Sequence, residues 1–554
     1  MNELTDLERV YRYHDATKHH FDRFARSLGY LDWASQPRPF RSFDSAPVLN
    51  LFPSPDASGP GVALVRAAYD SLFAAAPLPA LPITAASIGY FLRHSLGLSA
   101  WKVLRDARWS LRVNPSSGNL HPTEAYVITG AVGDGRTASF AGVWHYAVDR
   151  HALEQRCAFA PDRWRRGDGD PSDAFLMGLT SIHWRESWKY GERAFRYCQH
   201  DVGHAVGALA LSAALCGWRL AILPSWPQRA VASLIGIDRD ADYVEAEREE
   251  PACLLVVGRR LPLGFATVDR ALLEAVHDGQ WFGRASQLSE DHVRWSLIDD
   301  VARATEDRGR ERWPAPASNG QSRFNGEPDI RDIDAASLTI QRRSAVAFDG
   351  SSFTDRETFL RMLGRTIPDA GPPWSSLWWS PCIHLVLFVH RVEGVAPGLY
   401  LLARATEALP RIRAACRNEF AWSKVSEQAS LWLLREGDCR SLARRLSCDQ
   451  DIAADGFFSL AMIADFSSSL DELGPAFYRH LFWETGIVGQ VLYLEAEAAG
   501  ARATGIGCFY DDPVHRLLGI EDHAFQSLYH FTVGIPVEDA RLTTEPGYSW
   551  EGSP

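Results

Sequence analysis

The chain has 554 residues, 46% hydrophobic and 23% charged, with a net charge of −12 and a pI near 5.9. That balance describes a soluble globular protein of more than one domain, with no basic footprint for nucleic acid or an anionic membrane surface. No apolar run approaches the ~18 residues of a spanning helix, and the first residues lack a basic-then-apolar signal, so a cytoplasmic protein is expected.

Residues 4–30 are predicted helical. Within them His14, Lys18 and His19 fall within about a turn of one another, which a solvated helix face explains better than a metal site. Residues 1–60 form an N-terminal arm with no assigned chemistry. Residues 61–76 and 84–107 carry helical patterning around the breaker Pro77-Leu78-Pro79-Ala80-Leu81-Pro82.

The stretch Arg112-Val113-Asn114-Pro115-Ser116-Ser117-Gly118-Asn119-Leu120-His121-Pro122-Thr123-Glu124 then reads as a loop feeding a strand at 125–130. Its prolines restrict the backbone, Gly118 permits an unusual turn, and Ser116, Ser117 and Asn119 offer groups suited to the edge of a heterocycle. A second strand is expected at Gly142–Tyr146, a loop at 161–173, and a long helix after Lys189-Tyr190 to about Cys216, closed by Gly217. A strand at Arg219–Leu223, a helix at Pro227–Ile235 and an apolar strand at Ala252–Val257 complete the first unit, residues 61–307.

Residues 308–330 are the linker candidate, and residues 331–554 the second unit. Gly191, Arg196, Gly203, Gly217, Arg219, Gly236 and Ile237 recur as Gly474, Arg479, Gly486, Gly500, Arg502, Gly519 and Ile520, every pair 283 residues apart. Such a gapless repeat indicates internal duplication. The nine cysteines form no Cys-x-x-Cys and fit reduced thiols, mostly small core residues.

Pro115-Ser116-Ser117-Gly118-Asn119-Leu120-His121-Pro122, together with residues 186–204 and their paired Lys189-Tyr190, resembles the nitroreductase superfamily of flavoproteins. Within it the resemblance is to the SagB/ThcOx-type dehydrogenases that oxidise azolines to azoles. It implies an α+β fold of two tandem domains, each a mixed β-sheet flanked by helices, closed on each other as an intramolecular pseudo-dimer. The cofactor implied is FMN. Arg112, Asn114, Pro115, Ser116, Ser117, Asn119 and His121 would hold it from the first half, with Arg342, Arg343, Ser344, Ile506 and Gly507 from the second, and Arg541 as a further phosphate ligand by position.

Two guanidiniums and a hydroxyl suit a phosphate dianion. The motifs are lost in complementary fashion. Pro37–Phe43 lacks the Arg-Arg-Ser pattern, and Trp374-Ser-Ser-Leu-Trp378-Trp379 stands where the second half would carry its Ser-Ser loop. Gly507 maps onto Pro224, which has no N–H, and Lys189-Tyr190 maps onto Glu472-Leu473. One composite FMN site per chain is expected.

In that reading Lys189 is the base, provided burial or a neighbouring cation such as Arg193 makes its amine available, and Tyr190 relays or stabilises charge. His200 and His204 have the i, i+4 spacing of a zinc helix, but no third ligand stands out; no metal is expected, and Asp201 and His204 orient polar groups or settle the helix beneath the flavin. The substrate would be a heterocycle in a peptide or small molecule, with O2 or NAD(P)H as redox partner. Alternatives are an NAD(P)H-dependent nitro or quinone reductase and a non-catalytic docking partner. The oligomeric state would be a monomeric pseudo-dimer or a higher homo-oligomer.

Overall fold

The computed structural model describes residues 4–51, 66–130, 141–164, 173–311, 333–426 and 429–551. The helical patterning at 61–65, the loop expected at 165–172 and most of the linker, 312–330, lie outside the described residues. Two large sheets form the two halves. The first runs in the order Gln280–Trp281, Ala152–Ala158, Gly142–Ala147, Thr123–Thr129, Ala174–Ser181, Glu250–Gly258, Arg219–Ile222, with Val48–Asn50 also on Ala152–Ala158. The second repeats that order with Ser423–Lys424, Leu431–Glu436, Gly398–Leu402, Ile383–Val389, Phe458–Asp465, Phe525–Gly534 and Arg502–Ile506. Pairing between these strands is antiparallel, and a parallel bridge from Ser344 to Ala503 adds to the edge of the second sheet.

The strands are apolar on both faces because both faces are covered. In Glu250–Gly258, Leu254 and Val256 pack under the outer helices, while Leu255 and Val257 enter the central core. That central core is continuous through both halves, joining Val206 and Leu209 to Ile487 and Val491.

The duplication is visible residue for residue. Helices His183–Tyr190, Ala194–Leu215 and Gln228–Ile235 recur as Phe466–Leu473, Phe477–Ala498 and Asp511–Leu518, each shifted by 283. The two 22-residue helices, each apolar over most of its circumference, cross at the matched glycines. A Cβ on Gly203 would lie 2.2 Å from the Trp483 carbonyl, and one on Gly486 2.3 Å from the His200 carbonyl. The matched rings Phe195 and Tyr478 lie 6.5 Å apart and nearly parallel, at 6°. The halves are therefore related by a local two-fold, as in a subunit pair.

Three predicted helices are shorter or absent. The first covers only Asp6–Ala16; beyond it main-chain groups turn to the second half, His19 N–H to the Asp511 carboxylate and Asp511 N–H to the His19 carbonyl. His14, Lys18 and His19 are buried rather than solvated, with His14 against Tyr478 and Gln526 and Lys18 paired with Asp15 and Asp512. In the described part of 61–76, residues 66–76, the helical piece is the short 3₁₀ turn Tyr69–Phe73. The helix expected at 84–107 ends at Arg93, and Leu98–Leu104 is a strand in a hairpin with Ala107–Arg112. Thr543–Pro546, from the far end of the chain, adds the third strand, a partner no local pattern could announce.

Candidate functional site

The hairpin delivers the 112–121 loop to the seam between halves. There Arg342 Nε donates to the Val113 carbonyl at 3.1 Å and Nη2 to the Arg112 carbonyl at 3.0 Å, so the second half ties down the first half's loop. The seam opens into a cleft of about 480 Å³, lined by Arg112, Asn114–Asn119 and His121 from one half and Arg342–Val346 and Arg502–Cys508 from the other, excepting Ala503. Tyr190, Tyr197, Tyr493 and Tyr529 supply aromatic wall. Ser116 and Arg343, 227 positions apart in sequence, thus face one space.

Several predicted contact side chains are engaged within the protein. Ser116 Oγ accepts the His121 N–H at 2.8 Å, Asn119 Nδ2 donates to the Ser110 carbonyl, and Asn119 Oδ1 accepts from His121 Nε2 at 2.9 Å. They shape the loop. The polar atoms left without a partner are others: Arg112 Nε, Asn114 Oδ1, His121 Nδ1, His204 Nδ1 and Arg342 Nη1, all on buried residues that line the cleft. Pro115 and Ser117 line it too, and Ser117 N–H donates to Asp201 Oδ1 at 3.2 Å. Arg541 does not line it; its exposed guanidinium pairs with Asp539.

The cation cluster is crowded. Burial and the neighbouring Arg342 charge hold Arg343 down to about 10, and burial lowers Arg342 as well. Ser344 Oγ donates to Tyr493 Oη at 3.0 Å, and the same phenol accepts the Gly505 N–H at 2.9 Å, fixing the serine beside the Gly505–Gly507 wall. Gly505 and Gly507 are required there: a Cβ would fall 1.9 Å from Tyr529 Oη or 2.3 Å from Tyr197 Cε1. The Gly507 carbonyl accepts from Tyr197 and Arg193, while its N–H has no hydrogen-bond partner among the described residues.

Beneath the loop lie two buried carboxyls. Burial raises Glu186 well above the carboxylate range, with the Asp201 charge adding to it, and burial pushes Asp201 up to about 8. Each keeps one oxygen unpartnered. Lys189 stands near Glu186, with its Nζ 5.2 Å from the Tyr190 ring and 3.2 Å from where a Gly118 Cβ would be. Lys189 does not itself line the cleft; Tyr190 does. Arg193, expected beside Lys189, is instead bound to Asp511 and the Thr17 carbonyl. His200 bonds Thr485 and stacks on Tyr529, and His204 bonds Tyr529.

The counterpart region of the other half is filled. Trp378 and Trp379 pack on His480, the match of Tyr197, and Trp379 Nε1 donates to Glu484, the match of Asp201. Glu484 is fully compensated by Arg404 and the Cys382 and Ile383 N–H groups. Arg310 caps the region, its N–H on the Pro224 carbonyl, its guanidinium on the Leu473 carbonyl and 5.0 Å over Trp378.

Against known proteins, the sequence profile of the Nitroreductase family matches residues 83–259 and 340–535. The chain belongs to the nitroreductase family. It carries the family unit twice, consistent with the matched halves and with oxidoreductase chemistry. The chain is 22% identical over 194 residues to the putative nitroreductase MJ1384 of Methanocaldococcus jannaschii, covering 35% of this chain and 81% of that one. The crystal structure of a putative nitroreductase from Anabaena variabilis superposes over 96% of this chain and 99% of that one, at 20% identity and a TM-score of 0.66, a likeness of fold across both halves. A chain of the E. coli microcin synthetase McbBCD complex matches 46% of this chain and 93% of that one at 18% identity, with a TM-score of 0.27, too low to bear on substrate.

Tyr493, Tyr529 and Glu186 were not singled out from sequence. Glu186 opens the recognised 186–204 run, and Arg502 belongs to the repeat, so both carried a signal. Tyr493 and Tyr529 carried none, because only packing across the sheet brings them to the cleft.

Proposed function

We propose that the chain is an FMN-dependent oxidoreductase with one active cleft, acting as a SagB/ThcOx-type dehydrogenase on an azoline or similar heterocycle in a peptide or small molecule. The observation that carries this reading is the meeting of the Ser116 loop with Arg342-Arg343-Ser344 in one cleft. Its volume is in the range of small-molecule sites, and its unpartnered groups are of the kinds a flavin phosphate and ring edge engage.

Arg342, Arg343 and Ser344 would hold the phosphate, with Arg502, which already pairs with Glu538, beside them. Arg112, Asn114 and the Gly507 N–H would meet the ring edge. Bound FMN supplies the two-electron step. The chain's own task is then the substrate proton. The Lys189 amine would take that proton, with Tyr190 at the cleft surface relaying it or stabilising charge, and the buried carboxyls of Glu186 and Asp201, both raised by burial, lie beneath them.

Flavin content of the purified chain tests the reading: one equivalent of FMN supports it, and two equivalents or none retained overturn it. Lys189→Ala should keep FMN and lose turnover; an unchanged rate removes the base assignment. Rapid anaerobic bleaching by NAD(P)H alone would replace the dehydrogenase with a nitro or quinone reductase.

A further inference from the structure

Gly507 is followed by Cys508, which also lines the cleft. Its sulfur is 2.8 Å from that of Cys448. The other cysteines form no such pair among the described residues, and most are buried, whereas Cys448 and Cys508 are both partly exposed.

The two segments are already pinned together on either side of the thiols. Gln450 Nε2 donates to the Cys508 carbonyl at 3.0 Å, and Tyr510 N–H donates to the Leu446 carbonyl at 2.9 Å. Cys448 and Asp449 both hold left-handed backbone, φ 55° and 57°, without being glycine. That conformation is costly for such residues and needs surrounding support, here including the Arg445–Asp449 pair at 2.6 Å. Very little motion separates the two sulfurs from the ~2.05 Å of a covalent bond.

We infer that Cys448 and Cys508 are a redox-active dithiol on the cleft wall, which closes to a disulfide by exchange with a low-molecular-weight disulfide. The Cys508 thiolate attacks one sulfur of the small disulfide and expels one thiolate; Cys448 then attacks Cys508 sulfur and expels the second. The net change is two cysteine thiols oxidised to one disulfide and one small disulfide reduced to two thiols. The hydrogen bond shared with Cys448 and, secondarily, the Arg193 charge hold the Cys508 thiol below its usual range, consistent with Cys508 as the attacking sulfur. The bond would tie the 446–450 turn covalently to the wall that ends at Gly507.

The test is thiol mapping on the intact chain, without reference to flavin. Protein is equilibrated with oxidised and reduced glutathione at graded ratios, quenched in acid, alkylated and digested. A Cys448–Cys508 cross-linked peptide that rises with oxidation and vanishes with dithiothreitol is expected, with Cys448→Ser leaving a trapped glutathione adduct on Cys508. Absence of the cross-linked peptide at full oxidation, or an adduct on Cys508 in the wild type that never resolves, overturns the assignment. A chain that binds FMN yet never forms the bond would sink the dithiol while sparing the flavin reading.

Discussion

Replacing Arg342 by lysine isolates the contact that joins the halves at the cleft. Arg342 is 3% exposed, and its planar fork spans two carbonyls of the 112–121 loop start while Nη1 stays unpartnered. A lysine ammonium cannot reproduce that fork, so one buried carbonyl loses its donor. A hydrogen bond to a charged group contributes about 1.5–3 kcal/mol. If the whole loss is expressed as disorder of the FMN cleft, the dissociation constant rises roughly 10- to 150-fold, at about 1.4 kcal/mol per decade. The assay is fluorescence titration of FMN into the flavin-free protein, with riboflavin in parallel at one ionic strength. Riboflavin should weaken by about that factor and FMN by more, because in the proposed binding mode the substitution also takes the Nη1 donor away from the phosphate. Unchanged affinity for both flavins, with circular dichroism intact, would refute the reasoning.

Two further outcomes follow from the same geometry. Gly203→Ala and Gly486→Ala each drive a methyl into a main-chain carbonyl at the helix crossing, so each should destabilise by at least the ~1–3 kcal/mol of ordinary overpacking, read as a lower melting temperature. An unaltered melting temperature for both would mean the halves do not cross there. For Asp201, the folded carboxyl sits near 8 against about 3.9 unfolded, so the unfolded chain ionises first. Its contribution to stability is therefore neutral below that lower value, falls as pH rises toward 8, and is flat beyond. Asp201→Asn should melt progressively higher than the parent chain between those limits; parallel melting curves across pH would show the carboxyl is not held protonated.

How much could be read in advance differs between the halves of the problem. The repeat at 283, the apolar strand at Ala252–Val257 and the helices that begin near Lys189 and Pro227 were legible because spacing of glycines and runs of apolar residues are local properties. The end of the helix expected at 84–107 was not, since Leu98–Leu104 gains its identity as a strand from Ala107–Arg112 and Thr543–Pro546. Nor was the burial of His14, Lys18 and His19, which depends on Tyr478, Gln526 and Asp512.

The complementary loss of motifs could be counted from residues alone, because a proline has no N–H and a leucine no phenol wherever they fold. Which side chains remain free to meet a ligand could not. Ser116 and Asn119 use their polar groups to build the loop, leaving Arg112, Asn114 and Arg342 with unpartnered atoms, and the twin region is stopped by Trp378, Trp379 and Arg310. Hydrogen-bond competition and space filling are properties of neighbours in three dimensions. The chain's covalent order says only what each residue is able to offer.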